Sequence, residues 1–261
     1  MFNSSSRNLP TPSGARGQRA YVVGDVHGRL DLLEDLLARI HADLDERPSR
    51  KTMLVFVGDL IDRGPHSAQV IERLRTYRRP AVRTAFILGN HEEVLLRILA
   101  GDAKLIDDWR RFGGAECLES YGVDVGELIG RDDDAQLEVV REAIPKAHGE
   151  FLGSFVDSCR FGDYLFVHAG IRPGVELEQQ LQSDLRWIRQ PFLHDSSDHG
   201  FVVVHGHTIT GEVDERPNRI GIDTGAYHSG VLTALAIENG KRWYLDTKAT
   251  AAAEPLAHGL I

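Results

Sequence analysis

The chain's 261 residues, 42% hydrophobic and 26% charged, have the proportions of an ordinary globular protein and enough length to bury a sizeable core as one α/β domain. A formal net charge of −9 and a pI near 5.7 argue against nucleic acid as the main partner, because phosphate backbones are held by dense Lys and Arg patches. The two cysteines, Cys117 and Cys159, form no C-x-x-C pair, which speaks against a disulfide framework or a zinc ribbon and leaves them as reduced core thiols.

In chain order, residues 1–18 are rich in Ser, Pro, Gly and Arg with almost no apolar periodicity, so a mobile tail is expected there. That start lacks the apolar stretch of a secretory signal, and no later run approaches the length of a membrane span. The expectation is therefore a cytoplasmic protein with no membrane partner. From Ala20 onward short apolar runs alternate with helical spacing. Residues 20–24 read as a strand, and Leu33, Leu36, Leu37, Ile40 and Leu44 mark a helix. Residues 53–58 read as a second strand, 67–77 as a second helix and 84–89 as a third strand. The basic run at 73–83 reads as a solvated helix face and loop. Residues 92–160 read mostly helical, with an acidic surface loop at 131–134, and are expected to form an insertion covering one side of a site. Strands return at 164–168, 201–205, 219–223 and 231–237. A domain of residues 19–248 is expected, followed by a second tail at 249–261.

The chemistry gathers where the apolar runs end. Gly24-Asp25-Val26-His27-Gly28, Gly58-Asp59-Leu60-Ile61-Asp62-Arg63-Gly64 and Gly89-Asn90-His91-Glu92 follow the first three strands. Their spacing of roughly thirty residues fits a strand, a helix and a return strand. The carboxyl ends of parallel strands are where loops converge on one ligand. A lone Gly-Asp after a strand is ordinary turn chemistry. Three successive strand ends so equipped, together with His168 and His207 in later glycine-containing turns, are much harder to explain that way. Oxygen ligands suit hard cations and imidazole suits transition metals, so the mixed set points to Mn, Fe, Zn or Co rather than calcium. Two such ions roughly 3.5–4 Å apart can clamp a phosphate and activate a water.

With GDVHG, GDLIDRG, GNHE, HAG at 168–170 and HGHT at 205–208 in that order, residues 20–245 resemble the metal-dependent phosphoprotein phosphatase family of the calcineurin-like metallophosphoesterases, in its bacterial Ser/Thr type. The resemblance implies an α/β fold, a two-sheet β-sandwich flanked by helices. It also implies two divalent ions, Mn foremost with Fe or Zn as alternatives. Asp25 and His27 would bind the first ion, Asp59 would bridge both, and Asn90, His168 and His207 would complete the second, with Asn90 also beside the substrate. The family pattern places the late ligand immediately before Thr208, so His205 is read as a packed strand residue. His41, His66, His194 and His258 are read as surface residues. His91 is implied to be the general acid, oriented and kept protonated by Asp62. Arg63 offers a guanidinium fork to phosphate, and Arg189 resembles the second phosphate-binding arginine of bacterial members, with Arg172 as its rival. Glu92 is read as a residue that supports the site or starts a helix.

What the resemblance implies for activity is hydrolysis of phosphomonoesters by a metal-bridging hydroxide, without a phosphoenzyme. The expected substrate is phosphoserine or phosphothreonine, hence a phosphoprotein partner. The alternative within the same chemistry is symmetrical hydrolysis of diadenosine tetraphosphate. Hydrolases of that type generally lack the Asp of the Asp-Arg-Gly block and carry Asp after Gly-Asn-His, whereas this chain has Asp62 and Glu92, a difference that favours the phosphatase expectation. Ile222-Asp223-Thr224-Gly225-Ala226 resembles both groups and separates neither. A catalytically silent binding module would have lost a ligand, and none is missing.

Overall fold

Strands that must be buried on both faces read as continuous apolar runs rather than as alternating ones, and the inner strands here do so. The computed structural model describes residues 11–48 and 51–248. It begins with β1 (Arg19–Val23), α1 (Leu30–Glu46), β2 (Thr52–Phe56), α2 (Ser67–Arg75), β3 (Val82–Phe86) and α3 (Asn90–Ala100). A run of short helices follows: α4 (Ile106–Trp109), α5 (Ala115–Ser120), α6 (Asp133–Ala143) and α7 (Lys146–Leu152). The chain then forms β4 (Ser158–Phe161), β5 (Tyr164–Val167), α8 (Gln182–Trp187), β6 (Val202–His205), β7 (Asp214–Glu215) and β8 (Arg219–Gly221). It closes with α9 (Ala226–Ser229), β9 (Thr233–Glu238) and β10 (Lys241–Asp246).

The described strands make two five-stranded sheets, in the orders β10-β9-β1-β2-β3 and β4-β5-β6-β8-β7. Ala20, Val22, Met53 and Val55 point between the sheets and meet Phe166, Val204, Ile220 and Leu235. Their neighbours Tyr21, Val23, Leu54 and Phe56 point the other way and pack beneath Leu33, Leu36 and Ile71 of α1 and α2. On the far side Leu165, Val167 and Val203 are covered by Leu185, Ile188 and Phe192. The α/β sandwich flanked by helices that the motifs implied is the fold observed.

Three strands were not expected: β4, inside the stretch read as helical, β7 and β10. All three are sheet edges, where one flank is unpaired and the sequence need not be apolar. The expected mobile tail also needs correction. Within residues 11–18, the Ser13 N–H donates to Asp163 Oδ2 (2.8 Å) and the Gly14 N–H donates to the Asn239 carbonyl (2.8 Å). This segment is thus tied to the sandwich. Residues 1–10 and 249–261, with His258, lie outside the described residues. Among the described residues no helix is long and apolar enough to cross a membrane.

Parallel pairing of β1 with β2 and of β2 with β3, and of β5 with β6 and of β6 with β8, brings the carboxyl ends of these strands to one end of the sandwich. Backbone bonds stitch the turns beyond them. Val26 and His27 donate to the Asp59 carbonyl (3.0 and 2.9 Å), and Gly206 donates to that of His168 (2.8 Å).

Candidate active site

Each strand end delivers its polar residue into one buried cluster: Asp25, His27, Asp59, Asp62, Asn90, His91, His168 and His207 are all buried. The chain accepts unusual backbone conformations to do this. His27, Asp59, Asp62, Arg63 and His207 have φ between 44° and 70°, a region that side-chain-bearing residues seldom occupy and that concentrates at functional sites. Glycine makes the close approaches possible: a Cβ on Gly206 would collide with the Asp25 carboxylate, and one on Gly89 with that of Asp59.

Glu92 holds this arrangement in place. Its carboxylate accepts the N–H groups of Asp59 (2.9 Å), Leu60 (2.7 Å), Ile61 (3.3 Å) and Gly89 (3.1 Å). The sequence places Glu92 at a helix start. The structure adds that it ties the turn after β2 to the beginning of α3, so that Asp59 and Asn90 are fixed relative to one another.

The donor atoms fit two cations. The Nδ1–H groups of His27 and His168 donate to the carbonyls of Ile61 and Val57 (2.8 Å each), which leaves Nε2 of each ring as a lone pair. His168 Nε2 faces two further acceptors, Asn90 Oδ1 at 3.0 Å and Asp59 Oδ1 at 3.5 Å. Acceptors so crowded repel unless a cation lies among them. His207 Nδ1 lies 2.9 Å from the same Asn90 oxygen, and its Nε2 has no partner. Burial pushes His27 and His207 down to about 3 and lowers His168, so all three are neutral, the form that ligates a metal. Burial, aided by the charges of Asp223 and Asp59, pushes Asp25 well above the usual carboxylate range. Burial, with the charge of Asp59, also raises Asp223 to about 6. Carboxylates crowded together in this way call for cations to neutralise them.

Ligand atoms of Asp59, His168 and His207 lie within 4.8 Å of one another, and so do those of His27, Asp59 and His91. Asp59 is common to both groups. His91 stands in the second group where the sequence had placed Asp25, but its chemistry differs. His91 Nδ1–H donates to Asp62 Oδ2 (2.6 Å). Burial opposes its charge, yet Asp59 and Asp62 raise its pKa to about 9. A protonated imidazole has no lone pair for a metal and does have a proton to give. Asp25 instead accepts the His207 N–H (3.0 Å) and lies against Asp223.

Arg63 and Arg189 line the same cavity of about 480 Å³ as Asp59, Asn90, His91 and His207. Arg63 stacks over Tyr227, its Cζ 4.9 Å from the ring centroid, and donates to His27 Nε2 (2.9 Å). Arg172, in a two-pronged pair with Asp184 (2.8 and 2.7 Å), is not among the residues that line this cavity. His205 stays on its strand with its ring edge-on to Phe192, 5.2 Å between centroids, and belongs to neither ligand group. His66 and His194 are exposed, whereas His41 is half-buried and bonded to the Tyr77 hydroxyl (2.9 Å).

Sequence reasoning missed several residues at the site. The Trp109 Nε1–H donates to Asp62 Oδ2 (2.9 Å), giving Asp62 a second anchor beside His91. Trp109, Phe112 and Trp187 form part of the cavity wall. Asp223 was noticed only as part of a shared motif. The tryptophans and Phe112 come from the insertion and from α8, whose patterns carry no local sign of where they fold back.

Residues 19–239 match the model of the calcineurin-like phosphoesterase family, and the chain belongs to that family of hydrolases. Among its relatives is a symmetrical bis(5'-nucleosyl)-tetraphosphatase of Acidovorax ebreus (strain TPSY), 37% identical over 161 residues. That alignment covers 62% of this chain and 47% of the relative, about half of its length. The asymmetrical bis(5'-nucleosyl)-tetraphosphatase PrpE of Halalkalibacterium halodurans is 28% identical over 82% of this chain and 88% of its own. In fold, the chain superposes with a TM-score of 0.61 and 22% identity on the crystal structure of a protein proposed to be a diadenosine tetraphosphatase, over 90% of this chain and 98% of that one.

Proposed function

We propose that this protein hydrolyses dinucleoside tetraphosphates, splitting diadenosine tetraphosphate symmetrically into two molecules of ADP. The observation that carries this reading is the cavity itself: about 480 Å³, floored by Asp59, Asn90 and His91, flanked by Arg63 and Arg189, and walled by aromatic side chains. Sites of this size enclose small molecules. Two relatives named as bis(5'-nucleosyl)-tetraphosphatases support the same substrate. The reading replaces the phosphoprotein expected from Asp62 and Glu92 as the first choice.

Asp25, His27, Asp59, Asn90, His168 and His207 would hold two divalent cations, Mn foremost. When bound, these supply Lewis acidity to a phosphoryl oxygen and acidify a water. The chain's own residues do the rest. Arg63 and Arg189 bind and orient the phosphate chain. Water adds to an inner phosphorus, the bond from that phosphorus to the central bridging oxygen breaks, and His91 gives its proton to the departing oxygen. Asp62 and Trp109 keep the imidazole aimed.

A second reading, phosphoserine and phosphothreonine phosphatase, is favoured by one observation, the 2.6 Å bond between His91 and Asp62. An alkoxide leaving group needs a strong acid far more than ADP does. The deciding experiment is a parallel assay of the Mn-loaded protein on diadenosine tetraphosphate and on phosphoserine, phosphothreonine and phosphotyrosine peptides. A kcat/KM at least tenfold higher on the dinucleotide is expected; the reverse order would install the phosphatase reading instead.

A further inference from the structure

Two large aromatic side chains at the cavity remain exposed where most of the core's aromatics are covered: Phe112 is 68% and Trp187 43% accessible. Both line the cavity that Arg63, Arg189, Asp59, Asn90 and His207 also line. Exposed apolar groups scattered singly need no explanation, but this pair shares one cavity wall, and the chain at each is anchored, at Phe112 through the next residue to Arg63 and at Trp187 to Glu93.

Phe112 sits at a break in the helical run between α4 and α5, where Gly113 adopts φ 112°. The Gly113 carbonyl accepts the Arg63 N–H (3.0 Å), and a Cβ on Gly113 would collide with Arg63. The kink that presents Phe112 is thus locked to the backbone of the arginine. Trp187 is fixed through its Nε1–H, which donates to Glu93 Oε2 (2.7 Å). Glu93 lies on α3, three residues after Asn90, and also pairs with Arg186 (3.3 Å). Two residues beyond Trp187 the chain reaches Arg189. The backbone at Phe112 and the ring of Trp187 are therefore held beside the groups that would take the phosphates, which lowers the ordering cost of binding.

We infer that Phe112 and Trp187 form an aromatic subsite for the adenine base of the nucleotide whose phosphates rest on Arg63 and Arg189. This rests on the dinucleotide reading above and deepens it. The charge pattern chooses the occupant: the flanking Arg63 and Arg189 suit a polyphosphate, the exposed aromatic side chains suit a flat ring, and a nucleoside 5'-phosphate carries both in one molecule. Aromatic faces accept any base, so the subsite prefers a purine for its stacking area without reading its edge.

The test uses the full chain loaded with Mn and compares inhibition of p-nitrophenyl phosphate turnover by AMP, ribose 5-phosphate and phenyl phosphate. AMP and ribose 5-phosphate share the phosphate and sugar and differ by the base. Stacking predicts that AMP inhibits at roughly tenfold or more lower concentration than ribose 5-phosphate, and that this ratio collapses toward one in the Phe112→Ala/Trp187→Ala double variant. Binding is read separately: AMP should quench tryptophan fluorescence in the unaltered protein and in Phe112→Leu, and most of the quenching should be lost in Trp187→Phe, where Trp109 remains in the cavity wall. Equal inhibition by AMP and ribose 5-phosphate, or a ratio that survives the double substitution, overturns the subsite. Stronger inhibition by phenyl phosphate than by AMP overturns the adenine assignment in favour of a tyrosine-sized ring. Failure of the unaltered protein to cleave diadenosine tetraphosphate defeats the substrate reading alone, because the AMP ratio is measured without it.

Discussion

His91 and Asp62 are joined by a 2.6 Å hydrogen bond from Nδ1 to Oδ2 inside a buried site, and a carboxylate so placed fixes both the direction and the charge of the ring. The value of that charge depends on the leaving group. Replacing His91 with Asn should lower kcat by about 10²–10⁴ on a phosphoserine peptide. The loss should be distinctly smaller on p-nitrophenyl phosphate and on diadenosine tetraphosphate, whose leaving groups depart with less help. Metal content is measured alongside, because a lost ion would depress all three together. Equal losses with metals retained would leave His91 a positioning group.

The same pair sets the pH response. His91's pKa is raised from its ordinary 6.5 to about 9, so the acid form is fully present below neutrality and is lost as pH rises through the shifted value. Two bound cations would pull that value down, so on phosphoserine the alkaline limb of kcat should fall at or below about pH 9. Asp62→Asn should move it lower still, by removing the anion that retains the proton. A limb that Asp62→Asn does not move would detach Asp62 from the acid.

Asp59 is shared by both ligand groups. Asp59→Asn removes a negative charge from between two cations and should lower metal content below two equivalents as well as turnover, by about tenfold or more. Elemental analysis checks this directly; two ions retained with near-normal rates would remove the bridge.

Glu92 accepts four backbone N–H groups while fully buried. Glu92→Ala strands them, and each buried unsatisfied donor costs roughly 1–3 kcal/mol. The metal-free variant should lose about 3 kcal/mol or more of stability, read as the shift in urea midpoint. A loss under about 1 kcal/mol would mean that water replaces the carboxylate.

Most of this site could be read from the sequence because it is local. Asp25 and Asp59 each follow an inner strand whose apolar run is unmistakable, Asn90 follows the edge strand β3 through the apolar stretch 85–88, and the glycines beside them report backbone crowding. The edge strands β4, β7 and β10 escaped because one flank of each is unpaired and their residues are mixed. Trp109, Phe112 and Trp187 escaped for a different reason. Their roles arise only when the insertion and α8 fold over the strand ends, and nothing within a few residues of them encodes that contact. The same gap bears on substrate, since motif residues report the chemistry at phosphorus while the cavity wall reports on what carries the phosphate.

Product analysis tests the central claim most directly. Metal-loaded protein is incubated with diadenosine tetraphosphate, and the nucleotides are separated during the first turnovers. ADP as the sole product is expected. ATP and AMP in equal amounts would contradict symmetrical cleavage, and an intact dinucleotide beside rapidly dephosphorylated phosphoserine peptide would contradict the dinucleotide substrate altogether.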